Sequence, residues 1–305
     1  MNAPQRALTG CVVGVSISES DESPKRGFPS WQVNRITLQV SAALFGQGAG
    51  VVFGHDWRDD GVMEAVQGFA RQMQPSVPLS AEQVDALSQP LLRNILPWPD
   101  EPRLCATDLE CLGSTLRVES AGLPPELQSL AEPEKSPAGR TTPLYRYLRA
   151  RGLTHLRWRL NEVCCARLCF GGKIAGSSGR FPGVVEEALL AVQSGKPLFL
   201  AGLLGGAAQQ LIAALEGQAM PEDFCASNAA TSLYARPPIP ENDPTTRSDR
   251  VADRKAVWDE FRSFGLAGLA RSNRLTESEN REFFHSPSIE RIISLTLAGL
   301  SRLRM

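Results

Sequence analysis

The chain has 305 residues, 42% of them hydrophobic and 21% charged, with a formal net charge of −1. That length suits one large α/β domain or two small ones with an ordinary core. The near-neutral balance excludes the basic field of a duplex nucleic-acid binder, since the one cluster, "YRYLRARGLTHLRWRL" (145–160), is modest.

The opening "MNAPQRALTG" lacks the apolar run of a secretory leader. "CVVGVSIS" (11–18) reads as a buried first strand. "SWQVNRITLQVSAALFGQG" (30–48) carries Val33, Ile36, Leu38, Val40, Ala43 and Leu44 at mostly helical spacing and ends in glycines. "GVVFG" (50–54) is a second strand, after which "HDWRDDGVMEAVQGFARQM" passes from a polar loop into a helix. This order predicts a parallel sheet with crossover helices.

Residues 75–140 are rich in proline and read as an inserted segment, with a helix over 80–92, a strand around Leu104 to Thr107 and an exposed loop over 130–141. Two helices are expected over 142–152 and 154–165. "ARLCFGG" (166–172) and "GKPLFLAG" (195–202) are strands, and "LGGAAQQLIAALEG" is a helix. The apolar run 197–215 approaches the length of a membrane span, but Gln209, Gln210 and its central glycines favour a buried strand, a turn and a helix. In the tail, "RPPIPENDPTTRSD" (236–249) is a connection, and 249–265 and 286–303 have helical periodicity. Thr276 and Glu279 between them match a capping box. The expected architecture is an α/β, Rossmann-like doubly wound parallel sheet over 10–218, with the segment 75–140 inserted and a C-terminal helical extension, 219–305, packed on it.

The seven cysteines (Cys11, Cys105, Cys111, Cys164, Cys165, Cys169, Cys225) are odd in number, irregularly spaced and without a C-x-x-C. They read as reduced, buried thiols of a cytoplasmic protein. Neither they nor His55, His155 and His285 form a metal pattern, so no metal and no cofactor is expected.

The most informative stretch is "GGKIAGSSGRFPGVVEEALLA" (171–191), which follows a strand and opens a helix. In a parallel sheet, ligands bind at the carboxyl ends of the strands. Glycines there admit positive φ and close approach of a ligand. A helix N-terminus offers unpaired N–H groups and a positive dipole end. Lys173 and Arg180 add positive charge. Together these favour an anionic, phosphate-bearing small molecule. The alternative is a surface loop with incidental glycines, a solvated lysine, and an arginine paired with Glu186 or Glu187. No G-x-x-x-x-G-K-[ST] and no G-x-S-x-G occurs.

"RLCFGGKIAGSSGRFPGVVEEALLAVQSGKPLFLAGLLGGAAQ" resembles the core of the SLOG superfamily, Rossmann-like domains related to DprA and to the Lonely Guy phosphoribohydrolases. The shared features are a strand ending in two glycines, a G-R-x-P-G-x-x-E-E helix start, and a "GKP" strand followed by a glycine-rich helix start. The likeness is strong over 166–210 and weaker over "CVVGVSISES" and "VVFGHDWRDDGVMEA", where His55 replaces a glycine. It implies binding of a nucleotide or nucleotide-derived ligand, which in many bacterial members is a sensing function alongside antiviral defence effectors. In the phosphoribohydrolase branch a glutamate of P-G-G-x-G-T-x-x-E helps cleave the N-glycosidic bond. That glutamate falls on Glu187, with Val184 at the threonine position, and the upstream arginine on Arg157 or Arg159.

The expected ligand-binding set is therefore Gly171, Gly172, Lys173, Gly179, Arg180, Pro182, Gly183 and Glu186 at the glycine-rich turn, with Gly205 and Gly206 at the next helix start. To these are added Ser16 and Ser18 after the first strand, and Asp56, Arg58 and Gly61 after the second. If the protein is an enzyme, Glu187 with Arg157 or Arg159 would be catalytic, the carboxylate stabilising a ribosyl cation or activating water. The bland reading of Glu186 and Glu187 is favourable first-turn charge. Neighbours lie ~100° apart on a helix, so the two cannot face a ligand equally. Three readings stay open: a nucleotide sensor, a nucleotide N-glycosidase, and a structural partner acting through its helical tail. The expected partner is a nucleotide-derived small molecule, with no duplex nucleic acid and no membrane; self-association and docking to an effector protein stay open.

Overall fold

Among the described residues, six short strands build one sheet: β1 (Val12–Ser18), β2 (Gly50–Gly54), β3 (Leu92–Pro97), β4 (Leu116–Gly122), β5 (Ala166–Gly171) and β6 (Leu198–Ala201). The computed structural model describes residues 7–54, 61–72, 91–100, 115–130, 142–175, 179–225 and 254–304. The strand order is β4-β3-β2-β1-β5-β6, and every pairing is parallel. The chain therefore builds outward from β1 in one direction and then returns to the other side of β1 with β5. That reversal places a topological switch point between the carboxyl ends of β1 and β5, where Ser18 pairs with Gly171.

Alternation along the strands sends side chains to two covered faces. Val13 and Val15 of β1, Leu168 and Phe170 of β5, and Phe199 of β6 meet α1 (Ser30–Gly46) and α2 (Met63–Gln72) in one core. Cys169 of β5 and Leu198 and Leu200 of β6 meet α4 (Gly183–Gln193), α5 (Gly206–Leu215) and α7 (Arg254–Asn273) in another. Between these lies α3 (Pro143–Val163), whose Leu156 and Leu160 cover Val12, Val52 and Ile95. A 3-10 turn at Pro125–Leu130 and the four-residue α6 (Glu222–Cys225) complete the packing.

The C-terminal helices α8 (Glu277–His285) and α9 (Ile289–Arg302) add Phe283, Ile292, Leu295 and Leu300 to the α1 face, so the tail shares the sheet's core. The capping box is formed: Glu279 N donates to Thr276 Oγ1 at 3.1 Å, and Thr276 N to Glu279 Oε2 at 2.7 Å.

Three expectations are corrected. The segment 75–140 supplies β3 and β4 to the sheet; the helix expected over 80–92 gives way to β3 at Leu92, and its earlier part and the strand near 104–107 lie outside the described residues. The two helices expected over 142–165 are one, α3, capped by Thr142, with Gly152 in its interior packed against Leu123 and Trp98. Lastly, Cys11 and Cys165 form a disulfide, Cα atoms 6.2 Å apart, because parallel pairing runs the chain entering β1 alongside the chain entering β5, with Cys165 one register step from Cys11; Cys164 and Cys169 are free and buried, as expected. Among the described residues no helix is long and apolar enough to cross a membrane, and no group of side chains could hold a metal.

Candidate functional site

At the switch point the α3/α4 face of the sheet turns polar. Alternation puts Gly14 and Ser16 of β1 and Arg167 and Cys169 of β5 on this face, where a parallel sheet would otherwise carry aliphatic side chains. Arg167 is fully buried and pairs in register with Gly14. A Cβ at Gly14 would sit 2.7 Å from the guanidinium carbon, so glycine is what makes room for it. A buried charge needs a partner. Arg167 Nη1 donates to Glu187 Oε2 at 3.2 Å and to Ser16 Oγ at 3.3 Å, and the Ser16 hydroxyl donates to the same Glu187 oxygen.

Above this cluster opens a cavity of about 440 Å³, bounded by the ends of β1 and β2, by α1 and α3, and by the turn after β5. Ser16, Ser18, Glu19, Gly172, Lys173, Gly183 and Glu187 line it, together with the apolar Val33, Phe53, Val62, Leu153 and Leu156. Asn34 and Thr37 of α1 border it as well.

The turn after β5 is shaped by close packing. Gly172 has φ +89, and a Cβ there would lie 2.6 Å from Val184 Cγ2 and 3.3 Å from Ala207 Cβ. It is the pivot between the starts of α4 and α5. Its N–H donates to Ser18 O at 3.0 Å, and its carbonyl accepts from Ala207 N at 2.8 Å. The start of α4 is left open on the cavity side: N-cap Pro182 makes no side-chain cap bond, and a first helical turn has no intrahelical acceptors for its N–H groups. Lys173 is exposed at the cavity mouth and makes no ion pair among the described residues.

The two glutamates divide as the helix period requires. Glu187 faces the cavity, its side chain 15% exposed. Glu186 turns inward and accepts from Arg157 Nη1, while Arg157 also donates to Phe181 O at 3.3 Å. Arg157 packs over Gly179 and Gly183, where any Cβ would crowd its guanidinium, and it lines the cavity. Arg159, two residues on and so on the opposite side of α3, is exposed and pairs with Glu162 at 2.7 Å.

The remaining expected residues lie around this centre. Gly171 packs against Ser18 O; the Arg180 guanidinium lies 5.4 Å from the Phe181 ring, and the Arg180 backbone N–H donates to Thr154 Oγ1 at 3.0 Å. Gly205 and Gly206 are covered by the β1–α1 loop instead of lining the cavity: Gly206 N donates to Glu22 Oε1 at 3.3 Å, and Ser20 and Ser23 hold Leu204 O. Gly61 precedes the cavity residue Val62, whereas Asp56 and Arg58 lie outside the described residues. Burial pushes the Cys169 thiol up to about 12, so it stays protonated and is no nucleophile.

Sequence reasoning missed Arg167. Its signal was an arginine inside the apolar run "ARLCF", where a charge must be paired if the strand is central.

The family model described as SLOG cluster2 matches residues 7–283. The chain belongs to this SLOG family. Membership covers the sheet, the switch-point cavity and the tail as far as α8, and it points to nucleotide-related binding or processing. A comparison with curated proteins finds no match.

Proposed function

We propose that this SLOG protein binds and senses a nucleotide or nucleotide-derived small molecule in the switch-point cavity. The phosphate lies against the first turn of α4, Lys173 supplies a mobile counter-charge, and Glu187 reads the sugar. The observation that carries the reading is the meeting, in one cavity, of an uncapped helix N-terminus, a lysine that makes no ion pair among the described residues, and a half-buried carboxylate of opposite preference. The amides and lysine suit an anion and Glu187 suits a hydroxyl donor, the polarity of a sugar phosphate. The apolar lining residues Val33, Phe53, Leu153 and Leu156 suit a base.

The experiment is a thermal-shift and calorimetric panel of AMP, NAD and cyclic nucleotides. Binding to the native state raises its stability by mass action. Stabilisation by at least one nucleotide, lost in Glu187→Ala, is the expected result; no stabilisation by any of them contradicts the reading.

A second reading, an N-glycosidase, is favoured by Glu187 itself, a carboxylate that borders the cavity beside Arg157. Release of free base from a bound nucleotide, abolished in Glu187→Ala, selects this reading over sensing. Arg157 would then orient the phosphate, although its bond to Glu186 ties it to the turn.

A further inference from the structure

We infer that Arg167 is a positioning residue: with Ser16 it anchors one oxygen of Glu187, so that the other is a fixed anionic acceptor selecting ligands with a free ribose hydroxyl. The inference rests on the nucleotide reading of the cavity and deepens it. Every hydrogen bond that Glu187 makes among the described residues falls on Oε2, from Arg167 Nη1 at 3.2 Å and from the Ser16 hydroxyl. Among the described residues Oε1 receives none, and Glu187 lines the cavity. One oxygen is thus immobilised from below and one is presented above.

The anchor is built at some cost. Arg167 has no exposed surface, and its Nε and Nη2 have no hydrogen-bond partner among the described residues. A buried guanidinium so incompletely satisfied is a poor stabiliser, and an apolar residue of similar volume would usually serve a core better. Gly14 is also held without a side chain to admit it. These costs have a purpose if the product is a carboxylate of set orientation and charge. A carboxylate oxygen accepts from a hydroxyl and repels a phosphate in the same place. The ligand class is then a nucleotide phosphorylated at the α4 end, whose 2′ and 3′ hydroxyls are unmodified.

The test uses the full chain, with AMP, 2′,3′-dideoxy-AMP, and adenosine 2′,5′- and 3′,5′-bisphosphate as probes in calorimetry. The wild type is expected to bind AMP roughly tenfold to a hundredfold more tightly than the dideoxy probe, the value of one hydrogen bond to a charged group, and to disfavour at least one bisphosphate. Glu187→Gln lowers this selectivity. Arg167→Met lowers it to the same extent, Arg167→Lys retains most of it, and the double variant Arg167→Met/Glu187→Gln is no worse than Glu187→Gln alone. A merely structural arginine would change stability without changing the ratio between probes. Urea melts of the ligand-free variants give a second readout: Glu187→Gln destabilises the wild type but is neutral or stabilising in Arg167→Met. Binding of AMP with an unchanged probe ratio in Arg167→Met, or strictly additive melts, overturns the inference alone. Failure of the wild type to bind any of the four probes overturns the inference; the nucleotide reading falls with it only if NAD and the cyclic nucleotides also fail to stabilise the protein.

Discussion

Replacing Gly172 with alanine tests the geometry of the turn. The substitution forces an L side chain to φ +89, where left-handed backbone costs a non-glycine residue about 1–2 kcal/mol. It also places a methyl 2.6 Å from Val184 Cγ2, 2.8 Å from Val184 Cβ and 3.3 Å from Ala207 Cβ. Val184 is buried in the first turn of α4 and Ala207 in that of α5, so neither can rotate away, and relief requires the helix starts to move. Overpacking of this kind costs a further 1–3 kcal/mol or so, for a total of about 2–5 kcal/mol. Urea unfolding followed by circular dichroism measures the loss, and calorimetry with AMP follows the binding function. Wild-type stability, within about 0.5 kcal/mol, would refute the packing argument. A large loss of stability with undiminished affinity for AMP would refute the assignment of the α4 start to the phosphate.

Other outcomes follow from the same contacts. Arg157→Ala leaves Glu186 buried and unpaired and is expected to cost about 3–5 kcal/mol in urea melts; Arg157→Met combined with Glu186→Gln should recover much of that. Arg159→Ala, at an exposed pair, should change stability by about 1 kcal/mol or less and leave nucleotide binding unchanged. In the tail, the Arg302 fork and then the Thr276 amide hold the Glu279 carboxyl down to about 2 from its ordinary 4.5. Because the folded value is the lower one, the stability it adds is complete above pH 4.5 and disappears as pH falls toward 2. The thermal midpoint of Glu279→Gln should therefore fall less steeply over that range than that of the wild type.

Much of the central sheet is legible because β1, β2, β5 and β6 are buried on both faces, and a strand so placed must be a continuous apolar run. The turn after β5 is legible for a related reason: five glycines in 171–183 have few uses other than close backbone approach. β4, "LRVESAG", escaped notice because it is an edge strand with one buried residue at its start and polar groups after it. β3, "LRNILP", lost its signal to the asparagine and proline that an apolar-run search rejects. Gly152 looked like a helix end, yet α3 runs through it because Trp98 and Leu123 pack where a side chain would be. Non-local facts were beyond local reading: the Cys11–Cys165 bond depends on β1 lying beside β5, and which of Glu186 and Glu187 turns inward depends on the position of Arg157.

The measurement that bears most directly on the site is an amide chemical-shift titration of the full chain with AMP. The account predicts that the backbone N–H signals of Gly183, Val184 and Val185 move saturably and together, while that of Gly206, already bonded to Glu22, moves little. Shifts confined to another part of the surface, such as the groove between α1 and the start of α9, would contradict it.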